Sequence, residues 1–363
     1  MGQNNPSLLG RSRVPKVCKN STCGILGRLV PAILSGILAV LFCSTAAASV
    51  IIDTVPVGNP GNANDPLTGN LYGGVGYAYR IGTYEVTNAQ YAAFLNEKAK
   101  TDPLALYNTN MGSNARGGIT RSGVSGSYTY APKANMADKP VNYVTWYDSI
   151  RFANWLHNGQ GAGDTETGAY TLLGGTATPS NGSSITRNVG ATWWLPSENE
   201  WYKSAYHQPA VQGGDADNYW LYPTKSNSAP TFATANAVGD ISNPGTNVAN
   251  YGSVADWNSQ DGNVTTAGSA GPLSQSFYGT SDQGGNVWER NETLISAPFS
   301  GLRGGDYSGN TSELDSSIRT FNLFPTSEVS DVGFRVATVP EPSTAVLAIV
   351  GCALMLGWGK RRK

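Results

Sequence analysis

The sequence predicts an α+β fold in which a few helices and short strands are joined by long irregular loops. Charged residues make up 13% of the 363-residue chain, below the usual quarter or so, while 44 glycines and 20 prolines favour turns. Three segments carry a serine or threonine cap ahead of an amphipathic run, which is typical of helix starts. Because 40% of the residues are hydrophobic, the chain can form a substantial core.

Residues 1–48 have the composition of a secretory signal peptide. They contain five basic residues and no acid, then an apolar run over 29–43, then small residues with Ala46 and Ala48 ahead of a plausible cleavage point. An uncleaved membrane helix is the alternative, although the run is short and interrupted by proline and glycine. Residues 49–76 follow as an N-terminal lead-in, a short strand running into a loop.

The first regular elements of the main domain come directly after the lead-in. Alternation over residues 77–81 predicts a strand. Thr87 and Gln90 have the spacing of a capping box, in which each side chain bonds the backbone of the other residue. We therefore expect the first helix to begin at Asn88.

Two more helices are predicted by the same chemistry. Thr145 and Asp148 cap a second amphipathic segment, which Gly159 should stop. Ser197 and Glu200 form a capping box ahead of the third. Beyond these helices, about seventy residues show little periodicity, and irregular loops of that length are usually functional or ordered by ligands or ions.

The C-terminal residues 338–363 have the three parts of a membrane sorting signal. The letters "VPEPS" precede 18 uncharged residues and a terminus of four basic residues. A helix of that length is about 27 Å long, close to the hydrocarbon thickness of a bilayer. The segment resembles the PEP-CTERM signal of exported bacterial proteins. The resemblance implies a transmembrane helix that anchors the protein until an exosortase-type enzyme processes it, and a location in the cell envelope or outside the cell.

Charge and cysteine content exclude several functions for the exported part. The chain has 24 basic and 25 acidic residues. The two ends hold nine of the basic residues and one acid, which leaves 15 against 24, a net charge of −9 for residues 49–340. This charge argues against nucleic acid and anionic membrane surfaces as partners. All four cysteines lie in the two ends: Cys18, Cys23, Cys43 and Cys352. Disulfides, thiolate metal sites and cysteine nucleophiles are therefore excluded within residues 49–340.

Residues 77–337 resemble the domain of formylglycine-generating enzymes, also called sulfatase-modifying factors. Six motifs occur in the family's order: "YRIGTYEVTNAQYAAFLN", "PVNYVTWYDSIRFANWL", "WWLPSENEWYKSA", "SDQGGNVWER", "LRGGDY" and "DVGFRVA". The resemblance implies a C-type-lectin-like α+β fold with a small antiparallel sheet, few helices and long ordered loops.

Active members of that family oxidise a cysteine of a target sulfatase to formylglycine, with copper held by two cysteines. The equivalent positions here fall near Gly309 and Leu314. A Cu(I) site needs soft thiolates, and neither Ser308 nor Glu313 supplies one, so copper is not expected.

Further departures from the family pattern concern the same pocket and the histidines. Asp306 stands where the family prefers serine, and Arg290 stands where it has tryptophan, so we expect an altered pocket floor. A related branch binds iron through three histidines, but this chain has only His157 and His207. We interpret both as structural residues at helix ends.

The resemblance also implies two structural calcium sites, whose ligands would be side-chain oxygens and backbone carbonyls. In "SDQGGNVWE" the family's ligands map to four residues: Asp282, Gly285, Val287 and Glu289. A second set maps to Asn250, Tyr251, Asp261 and Asn263. Ordinary turn chemistry is the alternative interpretation of both segments.

Two functions remain open from the sequence. The first is an exported binding module without catalytic residues, which holds an unknown protein or glycan ligand at the cell surface or in its matrix. The second is a divergent formylglycine-generating-type enzyme that modifies an exported sulfatase or another protein. Fold alone does not decide between them.

Overall fold

The computed structural model describes residues 49–296 and 299–340. The predicted signal peptide and nearly all of the predicted sorting signal lie outside the described residues. Among the described residues, no helix is long and apolar enough to cross a membrane.

Four α-helices occur in the described ranges, and the three predicted helix starts are confirmed. They are α1 (Asn88–Lys98), α2 (Asn110–Ser113), α3 (Trp146–His157) and α4 (Glu198–Tyr206). In α1, α3 and α4 the cap side chain accepts the backbone N–H three positions on, and the side chain there accepts the cap N–H in return. These reciprocal bonds satisfy donors that a helix start otherwise leaves unpaired.

The strands are short, and most of them lie in two four-stranded sheets. In chain order they are β1 (Thr54–Val57), β2 (Tyr79–Gly82), β3 (Ile119–Ser122), β4 (Thr129–Pro132), β5 (Trp193–Trp194), β6 (Thr231–Phe232), β7 (Val248–Ala249), β8 (Trp288–Ser296), β9 (Phe299–Arg303), β10 (Thr320–Leu323), β11 (Val332–Phe334) and β12 (Ala337–Thr338). The first sheet has the order β1-β2-β12-β5 and is antiparallel throughout. The second has the order β10-β9-β8-β11, with β11 parallel to β8. The predicted α+β class, with few helices and small antiparallel sheets, is confirmed.

Aromatic rings fill the main core between α1, α3 and β11. Tyr91 and Phe94 of α1 meet Phe152 and Trp155 of α3, and Phe334 of β11 completes the cluster, with ring centroids 5.3–6.4 Å apart. Such pairs add to the free energy of area burial in a fold with little regular structure.

The long segment after α4 is irregular, as predicted. Between residues 209 and 280 the regular elements are β6, β7 and two short 3₁₀-helices. Side chains add to the backbone hydrogen bonds of this segment. Asn247 Nδ2 donates to the carbonyls of Ser228 and Ala229 at 3.0 and 3.1 Å, and Lys139 Nζ donates to the Val238 carbonyl at 2.9 Å. The loop backbone is therefore satisfied by turn bonds and by amide and lysine donors together.

A fully buried ion pair joins the two sheets to each other. Arg335, between β11 and β12, donates through Nε and Nη2 to the two carboxylate oxygens of Glu289 on β8, both at 2.5 Å. The same guanidinium donates to the carbonyl of Gly82 at 2.9 Å, at the end of β2, and to that of Ser281 at 2.9 Å. Trp201 of α4 donates its indole N–H to Glu289 at 2.8 Å. All three nitrogens of the guanidinium and both carboxylate oxygens are thus engaged.

Replacing Glu289 with glutamine should lower the free energy of unfolding by about 3 kcal/mol, because Arg335 would keep a buried charge without its bidentate partner. We expect the lower end of the usual range, since Glu85 and Asp282 also attract Arg335. Urea denaturation measures the change. Glu97→Gln is the matched control, because Glu97 is exposed on α1 and should cost about 0.5 kcal/mol or less. Equal losses in the two variants would contradict the role of the ion pair.

Candidate functional site

A cavity of about 490 Å³ opens on the second sheet. Strands β8 to β11 and the loop after β9 contribute its walls, and its volume is in the range of small-ligand sites. Apolar and acidic side chains alternate around it. The lining residues are Trp288, Leu302, Asp306, Ser308, Gly309, Glu313, Thr320, Leu323, Val329, Asp331 and Val332.

The loop that carries the acidic residues depends on two glycines. Gly304 and Gly305 follow β9 with φ angles of 102° and 76°, a region that side chains disfavour. A Cβ atom on Gly304 would lie 2.6 Å from the Gln283 carbonyl oxygen, and one on Gly305 would lie 2.8 Å from Leu314. The tight turn therefore brings the following residues, beginning with Asp306, over the sheet.

Asp306 is buried beside the cavity and has one occupied oxygen. Its Oδ1 accepts hydrogen bonds from the backbone N–H and the hydroxyl of Ser308, each at 2.6 Å, and 4% of the residue is exposed. Within the described residues, Oδ2 has no hydrogen-bond donor. A Cβ atom on the neighbouring Gly309 would collide with Oε2 of Glu313. The glycine therefore leaves room for a second carboxylate at the same wall.

The cavity carries an excess of negative charge. Burial raises the pKa of Asp331, and the charge of Asp306 raises it further. The pKa of Glu313 is raised by burial and then by Asp306 and Asp331. None of these three carboxylates forms an ion pair within the described ranges. The charge of Asp306 thus disfavours ionisation of Asp331 and Glu313, and the charge of Asp331 disfavours ionisation of Glu313, as expected for like charges that share a site.

The structure places the residues at the expected copper positions in different surroundings. Gly309 and Ser308 line the cavity, together with Glu313. Leu314 is fully buried and belongs to an apolar cluster with Tyr222, Ala249 and Tyr251. Of the two positions where the family resemblance implies thiolates, Gly309 thus lines the cavity and Leu314 packs into the core instead.

Of the two expected changes in the pocket floor, Asp306 lines the cavity and Arg290 does not. The guanidinium of Arg290 donates instead to the Val144 carbonyl, the Ser300 hydroxyl and the Ser327 carbonyl at 3.2, 2.9 and 2.6 Å. Burial lowers its pKa to about 10. Arg290 therefore does not line the cavity, although its positive charge partly offsets the rise in the pKa of Asp331 on the cavity wall.

The first predicted calcium segment is ordered around the Arg335 ion pair. Asp282 Oδ2 accepts the backbone N–H of Gly268 at 2.5 Å, and a cavity of about 10 Å³, room for one water or ion, lies against Asp282. Burial raises the pKa of Asp282 to about 6. Both oxygens of Glu289 are bonded to Arg335.

The two predicted carbonyl ligands of this segment have defined places as well. Gly285 donates its N–H to the Gly304 carbonyl at 2.8 Å and forms a bridge with Asn250. Val287 is buried in an apolar cluster that includes Trp257 and Tyr307.

The second predicted calcium set is brought together only in part. Asn250 is buried, and its Nδ2 donates to the Asn263 carbonyl at 2.9 Å. Tyr251 donates its hydroxyl to the Pro230 carbonyl at 2.5 Å. Asp261, by contrast, is exposed, and its carbonyl accepts from Arg116 at 2.9 Å. In the ranges that the structure describes, no group of three or more His, Cys, Asp or Glu side chains is close enough to hold a metal ion.

Two buried oxygens beside these segments have no hydrogen-bond donor. They are Oδ1 of Asn250 and Oε2 of Glu85, whose other oxygen accepts from Asn286 at 3.0 Å. Oxygen acceptors of this kind fit a hard cation such as calcium. Sequence reasoning missed Glu85 and also Asp331 of the cavity. Each is an acidic residue of a motif that carries the family resemblance: Glu85 lies within "YEVTN", and Asp331 is the first residue of "DVGFRVA".

Comparison with protein families gives one match. Residues 75–339 match the family described as "Sulfatase-modifying factor enzyme 1-like domain". A search of curated proteins found no match.

Solved structures give further likenesses. The chain is similar to CarF, with 19% identity, a TM-score of 0.48, and coverage of 81% of this chain and 100% of that one. It is similar to variable protein 1 of Treponema denticola, with 17% identity, a TM-score of 0.43, and coverage of 81% and 97%. For PvdO from Pseudomonas aeruginosa the identity is 16%, the TM-score 0.37, and the coverage 80% and 93%.

Proposed function

The chain belongs to the sulfatase-modifying factor family, and we propose that it is an exported binding module that keeps the family's C-type-lectin-like fold without its copper oxidase chemistry. The observation that carries this proposal is the composition of the cavity wall. Leu314 packs into an apolar cluster, and Glu313 lies over Gly309, so no thiolate faces the cavity. Soft ligands that would hold Cu(I) are therefore missing from this wall.

The cavity itself supports binding as the remaining role. It combines the indole of Trp288 and several aliphatic side chains with a few polar groups, as ligand sites commonly do. Its residues come from strands as well as from a loop held by two glycines. A surface of this kind can hold a protein or glycan ligand without performing a reaction.

Incubation of the purified protein with a peptide that carries a sulfatase cysteine motif should yield no formylglycine, with or without added copper. The reason is the absence of thiolate ligands at the cavity. Mass spectrometry of the peptide measures the conversion, and a family member with both cysteines is the positive control. A peptide mass corresponding to replacement of the thiol by an aldehyde oxygen would refute the proposal, as would tight Cu(I) binding in competition with a chelator.

Export and processing complete the proposal. Residues 1–48 contain basic residues, then an apolar run, then small residues, and this order supports a cleaved signal peptide. At the other end, "VPEPS" followed by an apolar run and a basic terminus supports PEP-CTERM sorting by an exosortase-type enzyme. The mature protein would then lie in the cell envelope or outside the cell, with membrane anchoring before the tail is cut.

Intact-mass spectrometry of protein from its native host should show a chain that lacks both ends, beginning near Ser49 and ending near the "VPEPS" segment. A variant with Ala46 and Ala48 both replaced by leucine should keep the N-terminal segment, because signal peptidases need small residues there. Recovery of native-host protein that still contains Met1 or Lys363 would contradict this processing.

Calcium is proposed as a structural ion of the same domain. The donor-free oxygens of Asn250 and Glu85 and the small cavity against Asp282 support it. When bound, the ion would join carboxylates to loop carbonyls and so add order to a segment with few strands. Asp282 and the neighbouring carbonyls would hold it at the first site, where Glu289 is already engaged by Arg335.

Millimolar calcium should raise the melting temperature by several degrees relative to a chelator. At free calcium a hundredfold above the dissociation constant, one site adds about 2.7 kcal/mol. Asp282→Asn should remove most of this difference. Asp138→Asn is the control, since Asp138 is an exposed aspartate outside both predicted sites. Melting that is the same in chelator and calcium, or an Asp282→Asn response equal to that of the parent, would exclude the first site.

A further inference from the structure

We propose that the cavity on the second sheet binds the side chain of a lysine or arginine presented by a partner peptide. The inference rests on the proposed function as a binding module and gives that module a ligand class. Three features of the cavity carry it: carboxylates without an ion pair, a volume larger than a metal ion needs, and apolar residues in the same lining.

Among the described residues, the carboxylates of the cavity form no ion pair, and Arg290 attracts Asp331 only from beyond contact distance. Asp306 is nine-tenths buried or more, lines the cavity, and has an Oδ2 without a donor among the described residues. Asp331 and Glu313 line the same cavity and form no ion pair in the described ranges. A buried carboxylate is costly unless it is paired, so an external cation that enters the cavity supplies the missing counter-charge.

The lining of the cavity favours an organic cation over a metal ion. No three acidic, histidine or cysteine side chains of the described residues are close enough to share one metal. A guanidinium or ammonium group presents several N–H donors in different directions and needs no such cluster of ligands. The volume of about 490 Å³ also exceeds what a single ion needs.

The apolar surface of the cavity fits the stem of a long basic side chain. Leu302, Leu323 and Val332 line it together with the indole of Trp288. Lysine and arginine bury their methylene groups on apolar surface while their charged ends reach polar groups, and both cations are attracted to the face of tryptophan. The net charge of −9 over residues 49–340 attracts cationic peptides at longer range.

Carboxylates that serve a ligand, unlike carboxylates that serve the fold, should destabilise the protein when no ligand is bound. Because Asp306 and Asp331 repel each other, neutralising Asp331 should stabilise the ligand-free protein. The same change should weaken ligand binding. A residue whose role is only structural would not raise stability when it is altered.

The test is isothermal titration calorimetry of the purified full-length protein with acetyl-Gly-Lys-Gly-amide and its arginine counterpart. The same peptide with norleucine in place of lysine is the uncharged control. Spermidine tests whether the cavity binds a free polyamine more tightly than a basic side chain of a peptide. The variants are Asp331→Asn and Asp306→Asn, and the latter keeps the Oδ1 acceptor for Ser308. Asp138→Asn is the control variant, since Asp138 is exposed and does not line the cavity.

We expect the lysine or arginine peptide to bind, the norleucine peptide not to bind, and the affinity to fall with added salt. Each cavity variant should weaken binding by about tenfold or more, equivalent to about 1.4 kcal/mol. Asp331→Asn should also melt at a higher temperature without peptide.

Several results would overturn the inference: absence of binding by both basic peptides, equal binding of norleucine, binding of spermidine alone, or affinities unchanged in both cavity variants. The formylglycine assay tests the proposed function separately. A protein that produces no formylglycine and binds no basic peptide therefore refutes this inference and leaves the binding module in place.

Discussion

The architecture depends on one buried ion pair, between Arg335 and Glu289. Its guanidinium reaches the end of β2 in the first sheet, the loop before β8, and β8 in the second sheet. Its carboxylate also accepts the indole N–H of α4. Two sheets without a shared strand are thus connected through the directional hydrogen bonds of one guanidinium. Such a pair contributes more to the choice of one packing than to net stability, because burying two charges is costly.

The cavity depends on the backbone of one loop more than on the side chains that the loop carries. The glycine turn after β9, at Gly304 and Gly305, sets the backbone position of the loop that follows it over the second sheet. In this chain the loop presents carboxylates, and one of them fills the space that Gly309 leaves open. Hard, charged oxygens and soft thiolates differ in the cations that they bind. The proposed change of function, from oxidation to recognition, would therefore need new side chains on this loop but no new fold.

Sequence reasoning succeeded where structure is set by neighbouring residues. The three capping boxes each involve residues three positions apart, so Thr87, Thr145 and Ser197 could be identified from the letters alone. It failed where distant segments meet. Nothing local indicates that Asp331 would join Asp306 across the second sheet, or that Arg290 would turn to backbone acceptors away from the cavity. Loop closure across such separations depends on the whole core, and that information is spread over many weak contacts.

The order of the first sheet has a mechanical consequence. Strand β12, the last element of the described chain, is an inner strand: Thr338 lies opposite Arg80 of β2 on one side and Trp193 of β5 on the other. A pulling force applied beyond Thr338 would load hydrogen bonds on both edges of β12 before it reached Arg335, three residues back. The buried ion pair would then act as the second barrier to extension. A domain held by its C-terminal end could in this way bear tension while its second sheet remained undisturbed.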